Sequence, residues 1–247
     1  MGNSALAAGF WGFVGGCSLM IGAVIGLFVP ASKKVIAMVM ALCAGVLVSS
    51  VAFELMDEAF RKGGFDAASI GLLLGAVIFY IGDQIIESRG GKHRKRSQGQ
   101  QSGGSSTAIL LGALMDGIPE SVAIGVSLLQ GGKVGLVMVV AVFLSNIPES
   151  LSSASGMQKA GHSRKFILAV WAAVVAISAA SSLVGYLVLA GVSGNIIGGI
   201  QAFAAGAILT MLASTMMPEA FQEGGAIVGL ITTGGFLLSF VLSKLQG

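Results

Sequence analysis

The sequence predicts an all-α fold, a polytopic membrane bundle of eight transmembrane helices, and three observations lead there. Hydrophobic residues make up 55% of the chain and charged residues 10%, where a soluble domain carries about 25% charge. The apolar residues gather into runs separated by short breaks, each run close to the roughly 20 residues a spanning helix needs. The 38 glycines, with many Ala and Ser, are the small residues that let helix backbones approach closely in lipid.

In chain order the runs cover 6–30, 34–58, 67–87, 107–131, 134–157, 165–192, 196–218 and 225–245. No basic segment precedes the first, so it reads as a span and not as a cleaved leader. Pro30 to Lys34 separates it from the second, and Arg61 to Asp66 separates the second from the third. Residues 88–106 are the one real linker in a single domain covering 1–247. They are rich in Gly, Ser and Gln around Lys92, His93, Arg94, Lys95 and Arg96, and are expected to form a flexible basic cytoplasmic loop. Gly131 to Lys133, Lys159 to Lys165, Ser193 to Asn195 and Gln222 to Gly225 divide the remaining runs. Cys17 and Cys43 fall inside apolar runs and have no spacing that suits a disulfide framework or a thiolate metal site.

Orientation follows from Lys and Arg. With the N-terminus outside, the inner connections hold Lys33, Lys34, Arg89, Lys92, Arg94, Lys95, Arg96, Lys159, Arg164 and Lys165, and the outer ones only Arg61, Lys62, Lys133 and Lys244. Both termini are therefore expected outside a plasma or inner membrane. Residues 44–64 align without gaps to 205–225, sharing Glu-Ala-Phe and, two residues on, Gly-Gly. The second span would run outward and the seventh inward, so the two copies would be inverted, a common transporter arrangement. A second pair, Asp116 to Ser121 and Ser145 to Ser150, lies between them.

Three of the four prolines, Pro119, Pro148 and Pro218, are each followed by glutamate: Glu120, Glu149 and Glu219. Proline frees the carbonyl four residues back, and in a bilayer that carbonyl must find another partner. A carboxylate at the same place outlines a cation site. Asp116 and Glu120 share a helix face, as do Ser145 and Glu149. Ionised carboxylates at this depth are costly and functional by default, and several together need protons or a cation to offset them. Structural, protonated carboxylates and a proton relay in a carrier of another small solute are the competing readings.

The central pair of spans resembles the fourth and fifth spans of the ZIP (Zrt/Irt-like) family of divalent metal transporters, nearest its bacterial GufA-type branch. The carrying residues are Asp116-Gly117-Ile118-Pro119-Glu120-Ser121, continued by residues 122–127, and Asn146-Ile147-Pro148-Glu149-Ser150. The resemblance implies eight spans, a three-plus-two-plus-three inverted repeat, an elevator-like movement, frequent homodimers and a divalent metal as transported substrate, with no resident cofactor and no nucleic acid partner. This chain departs from the family pattern. Asp116 stands at the usual histidine position, Gly117 at an asparagine, Ser121 and Ser150 at glycines, Ser145 at a glutamine or histidine, and Ser214 and Thr215 where an acidic ligand often lies. The repeat sets Glu54 opposite Thr215, so one half can supply a carboxylate that the other lacks.

The expected metal ligands are thus Asp116, Glu120, Asn146 and Glu149, with Glu54 as a fifth. An oxygen-only set favours harder ions such as manganese more than a histidine site does, leaving zinc and manganese as the main candidates. Asp57 and Glu58 end the second span on the outer side, either concentrating cations at a mouth or serving as caps or solvated charge, Glu219 and Glu223 mirror them inside, and Asp83 and Glu87 are expected towards the interface. His93 and His162 sit among basic residues. No His-Glu-x-x-His pattern is present, so an enzyme is not expected. A transport-inactive ZIP homologue is the further alternative.

Overall fold

The computed structural model describes residues 2–29, 32–91, 106–129 and 135–246. The predicted loop run Lys92 to Arg96, and Lys133, lie outside the described residues. The helices are α1 (Gly2–Phe28), α2 (Lys33–Ser50), α3 (Asp57–Ile86), α4 (Ser106–Ser127), α5 (Leu136–Lys159), α6 (Arg164–Leu189), α7 (Gly194–Met211), α8 (Met217–Gly224) and α9 (Ile227–Gln246). π-Helical turns at Val51–Met56 and Leu212–Met216 join α2 to α3 and α7 to α8, and a third, Glu87–Gly91, extends α3. There is no strand among the described residues.

Among the described residues, seven helices are long and apolar enough to cross a membrane. One of them is the continuous stretch Lys33–Arg89, 57 residues long, where the sequence predicts two spans with a break at Arg61 to Asp66. A straight helix of that length would reach roughly 85 Å, against a hydrocarbon core of about 30 Å. The stretch is not straight in backbone terms. Gly64 (φ 69°, ψ −173°) leaves helical geometry, a conformation only glycine adopts without strain.

The aligned segments share much of this local structure. Lys33–Ser50 and Gly194–Met211 are both 18-residue helices, and both pass directly into a π turn. Gly225 (φ 72°, ψ −161°) ends α8 as Gly64 interrupts the run into α3. Pro218 was expected to kink a span. It lies inside the continuous helical stretch Gly194–Gly224, just past the π turn Leu212–Met216, where the i→i−4 ladder is already interrupted.

Pairing crosses between the two segments: α2 packs chiefly on α9, and α7 on α3. These approaches leave no room for side chains. A Cβ on Gly45 would meet the Thr232 carbonyl, and one on Gly235 the Leu42 carbonyl. Gly206 stands equally close to the Leu72 carbonyl, and Gly75 to that of Phe203. A second group forms as α1 packs on α5 and α6, and α4 on α6. Its core is built from Leu19, Ala23, Met157, Ile167 and the fully buried Trp171. The larger core joins both groups, bringing Met40, Leu47, Ile208 and Met211 against Ile124 and Val142. Large apolar side chains point outward on α3 and α9, among them Leu73, Val77, Leu230 and Leu237, the surface of a membrane protein.

Gly75→Val and Gly235→Val are expected to destabilise the protein by about 1–3 kcal/mol or more, read as loss of melting temperature in detergent. Gly229→Ala, with open space at its Cβ, should leave it unchanged.

Candidate metal centre

Asp116 and Glu120 lie on α4, Asn146 and Glu149 on α5, and all four are between 2% and 5% exposed. Both helices continue through their prolines, Pro119 and Pro148. Helix geometry therefore keeps Asp116 and Glu120 on one face and Asn146 and Glu149 on another, as the spacing predicts. The two helices touch each other little. They are bridged by α1 and α6, and meet α7 and α2 respectively on the other side.

The consequence of Pro148 is visible in α5. With no N–H at Pro148, the Leu144 carbonyl loses its intrahelical donor. Cys43 Sγ, reaching over from α2, donates to that carbonyl at 3.3 Å. A buried thiol thus completes the backbone beside the predicted ligands. Asn146 is oriented from the opposite side, since its Nδ2 donates to the Gly15 carbonyl of α1 at 3.2 Å. That bond occupies the amide nitrogen and leaves Oδ1 as the end that can ligate. Ser145 and Ser150, flanking Asn146 and Glu149, turn their hydroxyls to their own helix. Ser145 Oγ donates to the Val142 carbonyl (3.0 Å) and Ser150 Oγ to that of Asn146 (2.7 Å).

Glu54 lies half-buried on the π turn after α2. Its Oε1 accepts from Ser243 Oγ on α9 at 2.6 Å, so a known contact ties it to α9. Phe53 beside it packs on Phe236 and Phe240. Thr215, the repeat partner of Glu54, donates to the Met211 carbonyl of its own helix. Among the described residues, no three His, Cys, Asp or Glu side chains stand close enough together to hold a metal ion.

The flanking acids differ from one another. Glu58 is buried and paired with Arg61 and, at 3.4 Å, with Lys62, whereas Asp57 is exposed. The repeat equivalent of Glu58, Glu219, accepts from Ser152 Oγ of α5 at 2.8 Å, linking α8 to the second helix group. Asp83 corrects an expectation. It does not face the interface but is 4% exposed, next to Gly82, which abuts the Met115 sulfur on α4. Gln201 of α7 was not singled out from the sequence. It is buried, and its Oε1 has no hydrogen-bond partner among the described residues. A lone glutamine in an apolar helix was the only signal for it.

Cys43→Ala removes the donor from a buried carbonyl and should cost about 1–3 kcal/mol. Cys43→Ser keeps a donor there and should cost less. Thermal unfolding of the two variants in detergent compares them directly.

No family model matches this chain. It is 24% identical over 206 residues to a protein of Arabidopsis thaliana named a putative zinc transporter, a match covering 82% of this chain and 33% of that relative. The chain thus spans about a third of the length of the relative it resembles.

Proposed function

We propose that this protein is a divalent metal-ion transporter whose cation passes between α4 and α5. The observation that carries the reading is the burial of three carboxylates and one amide, Asp116, Glu120, Glu149 and Asn146, on two proline-bearing helices inside an apolar bundle. Such a set is costly in a membrane unless it serves a cation. Similarity to a protein named a putative zinc transporter supports the same substrate class.

Counting the arms on either side of Gly64 separately gives eight spans. The matched π turns, the matched glycines and the crossed pairing of α2 with α9 and α7 with α3 support a three-plus-two-plus-three inverted repeat. On this reading α1, α4, α5 and α6 form the moving body, and α2, α3, α7, α8 and α9 form the frame. Both termini face outward and Lys33, Lys159 and Arg164 face the cytoplasm, following the distribution of positive charge. The ligands Asp116, Glu120, Asn146 and Glu149 are all oxygen donors, as in a ZIP-type site altered at its histidine. Glu54, held by Ser243, serves the approach to that site.

Glu120→Gln and Glu149→Gln should each abolish uptake of zinc and manganese into proteoliposomes while the melting temperature stays close to wild type. Normal uptake by both variants would remove the central site from consideration. Asn146→Ala should weaken uptake less, because it removes a dipole and not a charge.

Selectivity gives a separate test. An oxygen-only set lacks the imidazole that favours zinc. Asp116→His should raise the zinc-to-manganese preference, and it should steepen the loss of binding below about pH 6.5, where imidazole takes up a proton. An unchanged ratio in competition uptake would exclude Asp116 as a ligand.

A further inference from the structure

The C-terminus of α1, the N-terminus of α2, the C-terminus of α5 and the N-terminus of α6 meet at one end of the bundle. Between them lies a cavity of about 330 Å³, within the range of small-molecule pockets. Its lining mixes two chemistries, the apolar Leu27, Val29, Ile36 and Leu151 and the polar Ser155, Gln158 and Lys159. Phe28 also lines it, and the Arg164 guanidinium lies over the Phe28 ring at 4.9 Å from its centre. Lys33 and Lys34 open α2 within one turn of Ile36, and Lys165 follows Arg164. Five cations thus surround this end, against two carboxylates on the neighbouring α8, Glu219 and Glu223. Phe28, Val29 and Val35 are exposed beside them.

We infer that this cavity binds an anionic phospholipid of the cytoplasmic leaflet, with its phosphate at Lys159 and Arg164 and an acyl chain against Leu27, Ile36 and Leu151. The argument is one of charge and polarity together. A soluble phosphate would find the cations but gain nothing from Leu27, Ile36 and Leu151. A zwitterionic lipid would meet those apolar residues but gain less from the cations. A lipid with net negative charge at the headgroup satisfies both, and basic pockets between helices on the cytoplasmic side are suited to such headgroups.

The position gives the lipid a consequence. α1 and α5 belong to one helix group and α2 to the other, and the cavity is lined by all three. A lipid seated there touches both groups where they meet and stabilises the arrangement in which the cavity exists. The choice of leaflet rests on the orientation proposed above, whereas binding itself does not depend on metal transport.

Native mass spectrometry of the full chain in detergent tests this, with phosphatidylglycerol and phosphatidylcholine added at equal concentrations. Phosphatidylglycerol adducts should predominate. Lys159→Gln combined with Arg164→Gln should weaken them roughly tenfold or more, and Ser155→Phe, which fills the cavity without changing charge, should remove them. Lys244→Gln, at the opposite end by the same orientation, should have no effect. Melting temperatures identify any variant that fails to fold, and the folded ones are read. Equal binding of the two lipids would overturn the inference, as would wild-type binding by the double variant or an equal loss with Lys244→Gln. Because the readout is lipid retention, failed metal uptake with intact lipid binding would count against the transport reading alone.

Discussion

Inside a bilayer no water is at hand to satisfy a backbone N–H or C=O, and the architecture follows from that constraint. It makes the chain helical, and it explains why glycines carry the helix contacts. Without a hydrophobic drive between helices, close backbone approach supplies the packing. The same constraint governs the exceptions. Pro148 opens one carbonyl in α5, and Cys43 of α2 closes it. The backbone turns at Gly64 and Gly225, each flanked by helix and entered after a π turn. π turns of this kind often mark functional positions, and here they carry Glu54 and Thr215.

Crossed pairing turns two similar segments into one framework. α2 needs α9, and α7 needs α3, so neither segment is complete within its own half. The contacts fall at small residues on both sides: Gly45 and Gly235 in one pair, Gly206 and Gly75 in the other. The group made by α1, α4, α5 and α6 lies against this framework through a core shared with α2 and α7. Two polar links cross the boundary beside the predicted ligands. Cys43 reaches the Leu144 carbonyl near the start of the predicted ligands, and Glu219 accepts from Ser152 just beyond their end. The helix that bears Asn146 and Glu149 is therefore held on both sides of them.

Charge is distributed along the same lines. The buried acids on α4 and α5 occupy the interior, where a cation could offset them. The basic residues cluster where four helix ends meet, beside a cavity of mixed apolar and polar lining. Metal and lipid chemistry would thus act on the same helix, α5, at different depths.

Much of this was legible in the sequence because hydropathy is local. The positions of the helices, the correspondence of 44–64 with 205–225, and the pairing of Asp116 with Glu120 and of Asn146 with Glu149 all follow from spacing along one chain. Burial of those four residues followed as well, since each lies in a run too apolar to face water. The tertiary structure alone decided which helix meets which, because glycine marks a close approach but not its partner. It alone turned Glu54 towards Ser243, gave Cys43 to Leu144 and buried Asp83 beside α4. The break that polarity predicted between Arg61 and Asp66 is confined to one residue, Gly64, whose backbone leaves helical geometry while helix continues on either side. Each of these outcomes depends on an atom from a distant part of the chain or on a single backbone angle, and local patterns of polarity encode neither.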